Sequence, residues 1–183
     1  MRLKASILDV ETTGFSHAAD EVIELGIVLF DFDPLTGVAG SVVEEYGGLR
    51  DPGRPIPEDA TKAHGLTWDD VRGHALDDAA VRRILARSAF LIAHNARFDR
   101  GFIERLYPET ALMQWRCSMD DIPWRGRLGF RSKGLQQLLG DHGIGVDTAH
   151  RALDDARNTL RLLSRTQPDG RTYLAELLGL GKR

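Results

Sequence analysis

The sequence predicts an α/β protein with one mixed sheet that helices flank. Three segments rich in Val, Ile, Leu and Phe come first, and turn-forming residues separate them; they cover residues 5–9, 22–32 and 41–49. This order predicts an antiparallel meander. Helical patterns and short apolar runs then alternate along the chain. Because strands that alternate with helices pair in parallel, the same sheet is expected to carry parallel strands beside the meander.

Six helices are predicted, mostly from the spacing of apolar residues and from start and stop signals. They cover residues 57–64, 77–87, 95–106, 132–139, 151–165 and 172–178. Gly65 is expected to end the first of them, and Ser132 is expected to cap the fourth. Thr67 followed by Asp70 is a weaker start signal. Short apolar runs at residues 89–93 and 113–117 predict two further strands.

Composition narrows the classes of protein without choosing a function. The 183 residues suit one domain, with a short helical tail at residues 167–183. The formal net charge of −3 does not favour a nucleic-acid binder, although an acidic metal site would mask local basicity. The single cysteine, Cys117, forms no intramolecular disulfide. No apolar run approaches the roughly 20 residues of a membrane span, so we expect a cytoplasmic protein without membrane contact.

The segment ILDVETTG at residues 7–14 is the starting point for the functional prediction. Asp9 and Glu11 lie at the end of the first strand, where they point to the same side with Cα atoms about 7 Å apart. Two like charges at this separation are costly unless a cation compensates them. The pair is therefore either a solvated strand end or half of a divalent-metal site built from oxygen ligands.

Two further polar groups follow later predicted elements. Asn95 and Asp99 are four residues apart and share one helix face behind the strand at residues 89–93. His150 and Asp155 lie at the start of the last long helix. Carboxylates, phosphate oxygens and water together can hold two Mg²⁺ ions. Histidine is the side chain whose ordinary pKa suits it to accept a proton from water near neutral pH.

Taken together, the three segments resemble the three exonuclease motifs of the DEDDh family, which includes the proofreading subunits of bacterial DNA polymerase III. The motifs are DVETTG from Asp9, Asn95 with Phe98 and Asp99, and His150-x-Ala-x-x-Asp155. Their order and spacing match over about residues 7–163, and all three occur together, which makes the resemblance specific. It implies an RNase H-like fold and a single exonuclease domain over residues 1–183. It also implies a 3′-to-5′ exonuclease that releases nucleoside 5′-monophosphates.

The resemblance also implies a role for individual residues. Two divalent cations, Mg²⁺ or Mn²⁺, would be bound by four acidic residues: Asp9, Glu11, Asp99 and Asp155. His150 would be the general base that activates the attacking water. Substrate contacts would come from Thr12, Thr13, His64, Leu66 and Asn95. The expected substrate is the 3′ end of single-stranded nucleic acid, DNA in preference to RNA, and a DNA polymerase is the candidate partner. An RNA-trimming exoribonuclease and a catalytically silent binding module are the alternatives.

Several residues keep two interpretations at this stage. Asn95 either caps its helix or lies near the substrate. His64 is either a helix-end residue or part of the groove for the terminal base, and Leu66 is either core or a wedge against that base. The arginine-rich segment at residues 125–133, with interleaved aromatic rings, suits single-stranded nucleic acid or is a solvated loop.

Overall fold

The computed structural model describes residues 1–145 and 150–180, so the last three residues of the predicted tail lie outside the described part. A five-stranded sheet with the order β3-β2-β1-β4-β5 forms its centre. The strands are β1 (Leu3–Thr12), β2 (Val22–Phe32), β3 (Ala39–Leu49), β4 (Leu91–Ala93) and β5 (Trp115–Cys117). The first three pair antiparallel, whereas β4 and β5 continue the sheet in parallel. The predicted mixed sheet is therefore confirmed.

Seven α-helices surround the sheet in the described residues. They are α1 (Glu58–His64), α2 (Trp68–Val71), α3 (Asp78–Leu85), α4 (Ala96–Leu106), α5 (Leu135–Asp141), α6 (Ala152–Leu163) and α7 (Tyr173–Leu177). Gly65 ends α1 in a left-handed conformation, as predicted. A short 3₁₀ helix at Pro108–Leu112 was not predicted. None of these helices has both the length and the apolar character that crossing a bilayer requires.

The predicted cap at Ser132 is wrong. Helix α5 begins at Leu135, and Gly134 occupies the N-cap position. The Ser132 hydroxyl instead accepts a hydrogen bond from the Gly134 N–H at 3.1 Å. It therefore closes a turn one step before the helix, a local bond that serine forms as readily as a true cap.

Helices cover both faces of the sheet, and alternate residues of β1 pack into the cores on its two faces. Ile7 belongs to a core that α6 shares with the sheet, whereas Leu8 belongs to a second core shared with α3 and α4. Strand β2 is buried on both faces, which explains its nearly continuous apolar sequence. Strand β1, which carries the DVETTG segment, is therefore a rigid central element of the molecule.

Gly26 allows α6 to lie directly on the sheet. A Cβ atom at this position would lie only 2.2 Å from the Leu153 nitrogen and 2.3 Å from the Ala152 carbonyl carbon. Gly26 also pairs with Asp9 across β1 and β2. Because Gly26 has no side chain, the first turn of α6 can lie next to Asp9, the first acidic residue of the predicted site.

Candidate active site

The four acidic residues predicted as metal ligands come together where β1, α4 and α6 meet. Asp9 and Glu11 extend from β1, Asp99 from the first turn of α4, and Asp155 from the first turn of α6. The Val10 N–H donates a hydrogen bond to Asp99 Oδ1 at 3.2 Å, which ties α4 to the strand between the two β1 acids. These four carboxylates are called the acid cluster below.

Burial raises the pKa of every member of the acid cluster, and repulsion from other members adds to it for Asp9 and Glu11. Burial is the largest cause in each case, and it raises the pKa of Glu11 to about 8 and that of Asp99 to about 7. The pKa of Asp9 is raised well above its ordinary value by burial and by the charges of Asp99, Glu11 and Asp155. Burial also raises the pKa of Asp155. Four acids that resist ionisation together form a site that a cation would stabilise.

His150 lies at the edge of the acid cluster with an unusual backbone conformation. Its φ angle is 60°, the left-handed region that histidine adopts more readily than most residues. Its N–H donates to Asp155 Oδ2 at 3.2 Å. One ligand-type atom from each of Glu11, His150 and Asp155 lies within 4.8 Å of the other two. The structure therefore brings the predicted base and the predicted ligands together.

Gln136 is a site residue that the sequence analysis missed. Its side-chain nitrogen donates a hydrogen bond to Asp155 Oδ1 at 3.1 Å, across the contact between α5 and α6. With the His150 N–H, this bond engages both oxygens of Asp155. No local pattern marks a glutamine in the first turn of a predicted helix, because the contact depends on how the two helices pack.

A groove of about 600 Å³ runs from the acid cluster along the end of β1 and the side of α1. Glu11 and His150 line the groove, and so do Thr12, Thr13 and His64. Four predicted site residues and the predicted base thus share one groove. Its remaining wall is mostly apolar and includes Phe15, Ala60, Ala63 and Phe98.

The threonine side chains in this groove organise the loop that follows β1. The Thr12 hydroxyl donates to the Gly14 carbonyl at 2.6 Å. The Thr13 hydroxyl donates to Asp20 Oδ1 at 3.0 Å and accepts from the Glu21 N–H at the same distance. These bonds fix the shape of the groove wall.

Leu66 and His64 occupy different environments, although they are two residues apart. Leu66 is buried in a small core with Ile23 and Val71 and does not line the groove. This placement favours the core interpretation of Leu66. His64 is also buried but lines the groove, and its Nδ1 accepts a hydrogen bond from the Leu66 N–H at 3.1 Å.

Asn95 does not cap α4 with its side chain, so the capping interpretation is wrong. The residue is exposed and lines a second cavity of about 310 Å³. Asp9, Gln136, His150 and Asp155 line the same cavity. Asn95 therefore lies in a cavity that borders the acid cluster.

Of the two aromatic rings at the arginine-rich segment, Trp124 is buried and Phe130 is partly buried. Trp124, just before the segment, is 1% exposed, donates from Nε1 to the Ser118 carbonyl at 2.6 Å and packs against Phe130. Arg127 forms an ion pair with Glu176 at 2.7 Å. A stacking platform built from these rings is excluded, because Trp124 belongs to the core.

Comparison with known proteins identifies the family. The model of the RNase_T exonuclease family matches residues 6–163. The chain belongs to this exonuclease family. The predicted enzyme class, an exonuclease that hydrolyses phosphodiester bonds, is thereby confirmed. The three motifs identified in the sequence all lie within the matched residues.

Sequence relatives of this exonuclease include much longer proteins. The DNA polymerase III PolC-type of Thermotoga maritima is 30% identical over 179 residues, which cover 93% of this chain but 13% of the relative. The corresponding protein of Clostridium perfringens is 31% identical over 161 residues, covering 86% of this chain and 11% of the relative. The chain thus spans about an eighth of these proteins.

Solved structures confirm the RNase H-like exonuclease fold. Exonuclease X in complex with 5′-overhanging duplex DNA is 25% identical, with a TM-score of 0.61 and coverage of 93% of this chain and 98% of that one. E. coli exonuclease I in complex with a dT13 oligonucleotide is 17% identical, with a TM-score of 0.67 and coverage of 88% and 40%. A 3′-exonuclease that recognises the histone mRNA stem-loop is 16% identical, with a TM-score of 0.66 and coverage of 92% and 83%.

Proposed function

We propose that this exonuclease removes nucleotides one at a time from the 3′ end of single-stranded DNA and releases nucleoside 5′-monophosphates. The observation that carries the proposal is that ligand-type atoms of Glu11, His150 and Asp155 lie within 4.8 Å of one another, while Glu11 and His150 also line the groove. We propose further that residues 1–183 act as one exonuclease domain in the cytoplasm, with a DNA polymerase as partner. The polymerase relatives support that partner.

The acid cluster fits two divalent cations, Mg²⁺ or Mn²⁺. Asp9, Glu11, Asp99 and Asp155 offer hard oxygen donors, and burial raises the pKa of each of them, so a bound cation would favour their ionised form. When bound, the cations would stabilise the negative charge that gathers on the phosphodiester oxygens.

His150 is the residue best placed to accept the proton of the attacking water. It lines both the groove and the cavity beside Asn95, so its ring borders the space where a water and a phosphate would meet. Asp155 holds the His150 backbone through the N–H bond, and Gln136 holds Asp155. These contacts orient the base before the substrate binds.

The groove beyond Glu11 would hold the terminal nucleotide. Its volume of about 600 Å³ lies within the range of pockets that bind small molecules. Phe15 and Phe98 present aromatic surface to the groove, and stacking of a base on an aromatic ring contributes about 1–3 kcal/mol. Thr12, Thr13 and His64 line this groove, where they could contact the sugar and base. Asn95 lines the second cavity with Asp9 and Asp155, where it could contact the scissile phosphate.

RNA is the second candidate substrate, and one observation favours it. The fold resembles the 3′-exonuclease that recognises a histone mRNA stem-loop as closely as it resembles exonuclease I. The fold alone does not choose between the two sugars. The preference for DNA is supported by the relatives, which are DNA polymerases.

A nuclease assay with matched substrates tests the proposal. Single-stranded DNA and RNA of one sequence, labelled at the 5′ end, are incubated with the protein in Mg²⁺ or Mn²⁺. Stepwise shortening of DNA, with nucleoside 5′-monophosphates as products and loss of activity in a chelator, is expected. Faster cleavage of RNA would make the exoribonuclease the function. Binding of DNA without turnover in either metal would instead identify a silent binding module.

A further inference from the structure

Glu24 is a buried acid beside the acid cluster that the proposed chemistry does not use. It lies in β2 directly opposite Glu11 in the strand register and is 6% exposed. A fifth carboxylate at this place would increase the repulsion within the cluster unless its charge were held elsewhere. The partners of Glu24 therefore show what it does.

Both oxygens of Glu24 are engaged by the two residues that follow His150. The Arg151 guanidinium donates to Oε1 from Nε at 3.0 Å and from Nη2 at 2.8 Å. Oε2 accepts the Ala152 N–H at 3.0 Å and a longer bond from Arg151 Nε at 3.2 Å. A planar guanidinium bound through two nitrogens fixes direction as well as distance. Glu24 thus binds the side chain of one residue and the backbone of the next.

These bonds act at the start of α6, where the backbone of His150 has its left-handed conformation. The His150 N–H bonds to Asp155 inside the helix, so this turn is held from within. Glu24 holds it from the sheet. Two residues along β2, Gly26 lets the same turn lie against the strand. The chain is therefore fixed on both sides of the His150 Cα atom.

We infer that the Glu24–Arg151 ion pair is a positioning device for His150. It anchors the first turn of α6 to β2, so that the imidazole ring stays at the edge of the acid cluster, and it keeps the Glu24 carboxylate away from the cations. The inference rests on the proposed function, in which His150 accepts the proton of the attacking water. Glu24 acts through His150 and contacts neither water nor substrate.

Glu24→Gln is the variant that removes the device with the least change of shape. The amide keeps the volume of the carboxyl group but replaces one acceptor oxygen with an N–H donor, so the paired contact with Arg151 is lost. Misplacing a reacting group by about 1 Å can cost roughly 100-fold in rate. We expect kcat to fall about 10- to 100-fold, while KM for a single-stranded oligonucleotide stays within about twofold.

A double-mutant cycle with His150→Ala separates positioning from general stabilisation. If Glu24 acts through His150, Glu24→Gln lowers kcat in the wild-type background but causes no further loss in the His150→Ala background. Losses that multiply in the double variant would overturn the inference. Failure of the proposed function is distinguishable, because His150→Ala would then leave kcat unchanged by itself.

Glu45 of β3 provides a control, because its arginine partner lies on the same helix, α6. Arg157 of α6 donates to the two Glu45 oxygens at 3.0 Å and 2.7 Å, so this pair also ties α6 to the sheet, but almost two turns farther from His150. Glu45→Gln is expected to leave kcat within twofold. An equal loss of kcat in both glutamine variants would show that any tether of α6 matters, and would overturn a specific role for Glu24.

Arg151→Met keeps the inference testable if Glu24→Gln does not fold. Arg151 is the more exposed partner, with 40% of its side chain accessible, so its removal disturbs less of the core. The same fall in kcat at constant KM is expected. A raised KM at constant kcat would show that Arg151 binds the substrate itself, which overturns the positioning role.

Discussion

Two groups of buried acids in this molecule differ in whether an arginine neutralises them. Glu176 in α7 is 2% exposed, and Arg127 and Arg171 approach its Oε2 at 2.7 Å and 3.1 Å. Asp99 is equally buried, yet no lysine or arginine of the described residues forms an ion pair with it. Burial of a charge is tolerated when the chain supplies the opposite charge. Among residues 1–145 and 150–180, no lysine or arginine forms an ion pair with a member of the acid cluster, and this difference separates a structural acid from a candidate ligand of external cations.

Glu24 shares one property with each group of acids. It borders the acid cluster, but Arg151 neutralises it as the arginines neutralise Glu176. Position near the site thus does not make an acid a ligand candidate. The presence or absence of an internal cation does.

The largest expected effect is on catalysis by Asp9→Asn. The substitution removes a ligand charge from the centre of the acid cluster and is expected to lower kcat by at least about 1,000-fold, a loss of about 4 kcal/mol of transition-state stabilisation. In a chelator, the same variant is expected to melt at a higher temperature than wild type, because asparagine replaces a buried carboxyl group whose ionisation the fold opposes. Nuclease assays and thermal melts measure the two effects, and full activity in the purified variant would refute the role of Asp9.

Gly26→Ala tests whether the acid cluster depends on the close approach of α6. The new methyl group would lie 2.2 Å from the Leu153 nitrogen, so backbone must move. We expect a loss of about 3 kcal/mol in the free energy of unfolding, as for other overpacked sites, together with weaker cation binding. Gly53→Ala is unsuitable as its control because of its positive φ, whereas Gly140, with no atom within 4 Å of an added Cβ, is suitable. A stable Gly26→Ala protein with unchanged activity would contradict the packing argument.

The pH dependence of stability follows from the raised pKa values. Glu11 has an ordinary pKa of 4.5, which the fold raises to about 8, so the folded state holds its proton where the unfolded state has lost it. Metal-free protein is therefore expected to lose stability as the pH rises from about 4.5 to 8, by an amount on the order of a few kcal/mol. Chemical denaturation in a chelator measures this.

Added Mg²⁺ should reverse that trend. Cation binding requires ionised carboxylates, so the increase in melting temperature on adding Mg²⁺ is expected to grow from pH 5.5 to pH 8. Stability of the metal-free protein that rises over this range would show that the acids are neutralised by the chain after all. The contrast with Glu176 would then disappear.

The sequence predicted the strands well, because strands are a property of local pattern. Strand β2 was predicted at its observed bounds, residues 22–32, since its apolar run ends at turn residues on both sides. The placement of Asp9, Asp99 and Asp155 at one point was anticipated from motif order. What the sequence could not show is which polar groups hold these acids in place. Gln136 and the Glu24–Arg151 pair act across 19 and 127 positions of the chain, and only tertiary packing brings them together.

Two residues whose predicted roles were wrong also show that tertiary packing is not visible in the sequence. Trp124 appeared available for stacking because basic residues follow it, yet it is one of the largest buried side chains. Ser132 is a residue type that often caps helices, but its hydroxyl accepts a hydrogen bond from Gly134 in the turn before α5. The residues next to a position in the sequence suggest its chemical role, but they do not show which residues surround it in the folded structure. Burial depends on those surrounding residues.

The smallest expected effect, and the most direct test of the contrast, is Glu176→Gln. Removing this acid leaves Arg127 and Arg171 without their shared carboxylate, and we expect a loss of about 2 kcal/mol in the free energy of unfolding with nuclease activity within twofold of wild type. The two arginines are partly exposed, which limits the loss because water can solvate them. Asp99→Asn, compared in a chelator, should change stability in the opposite direction. If both substitutions destabilise the metal-free protein equally, the acid cluster is held by internal contacts as firmly as Glu176 is, and its repulsion does not mark a cation site.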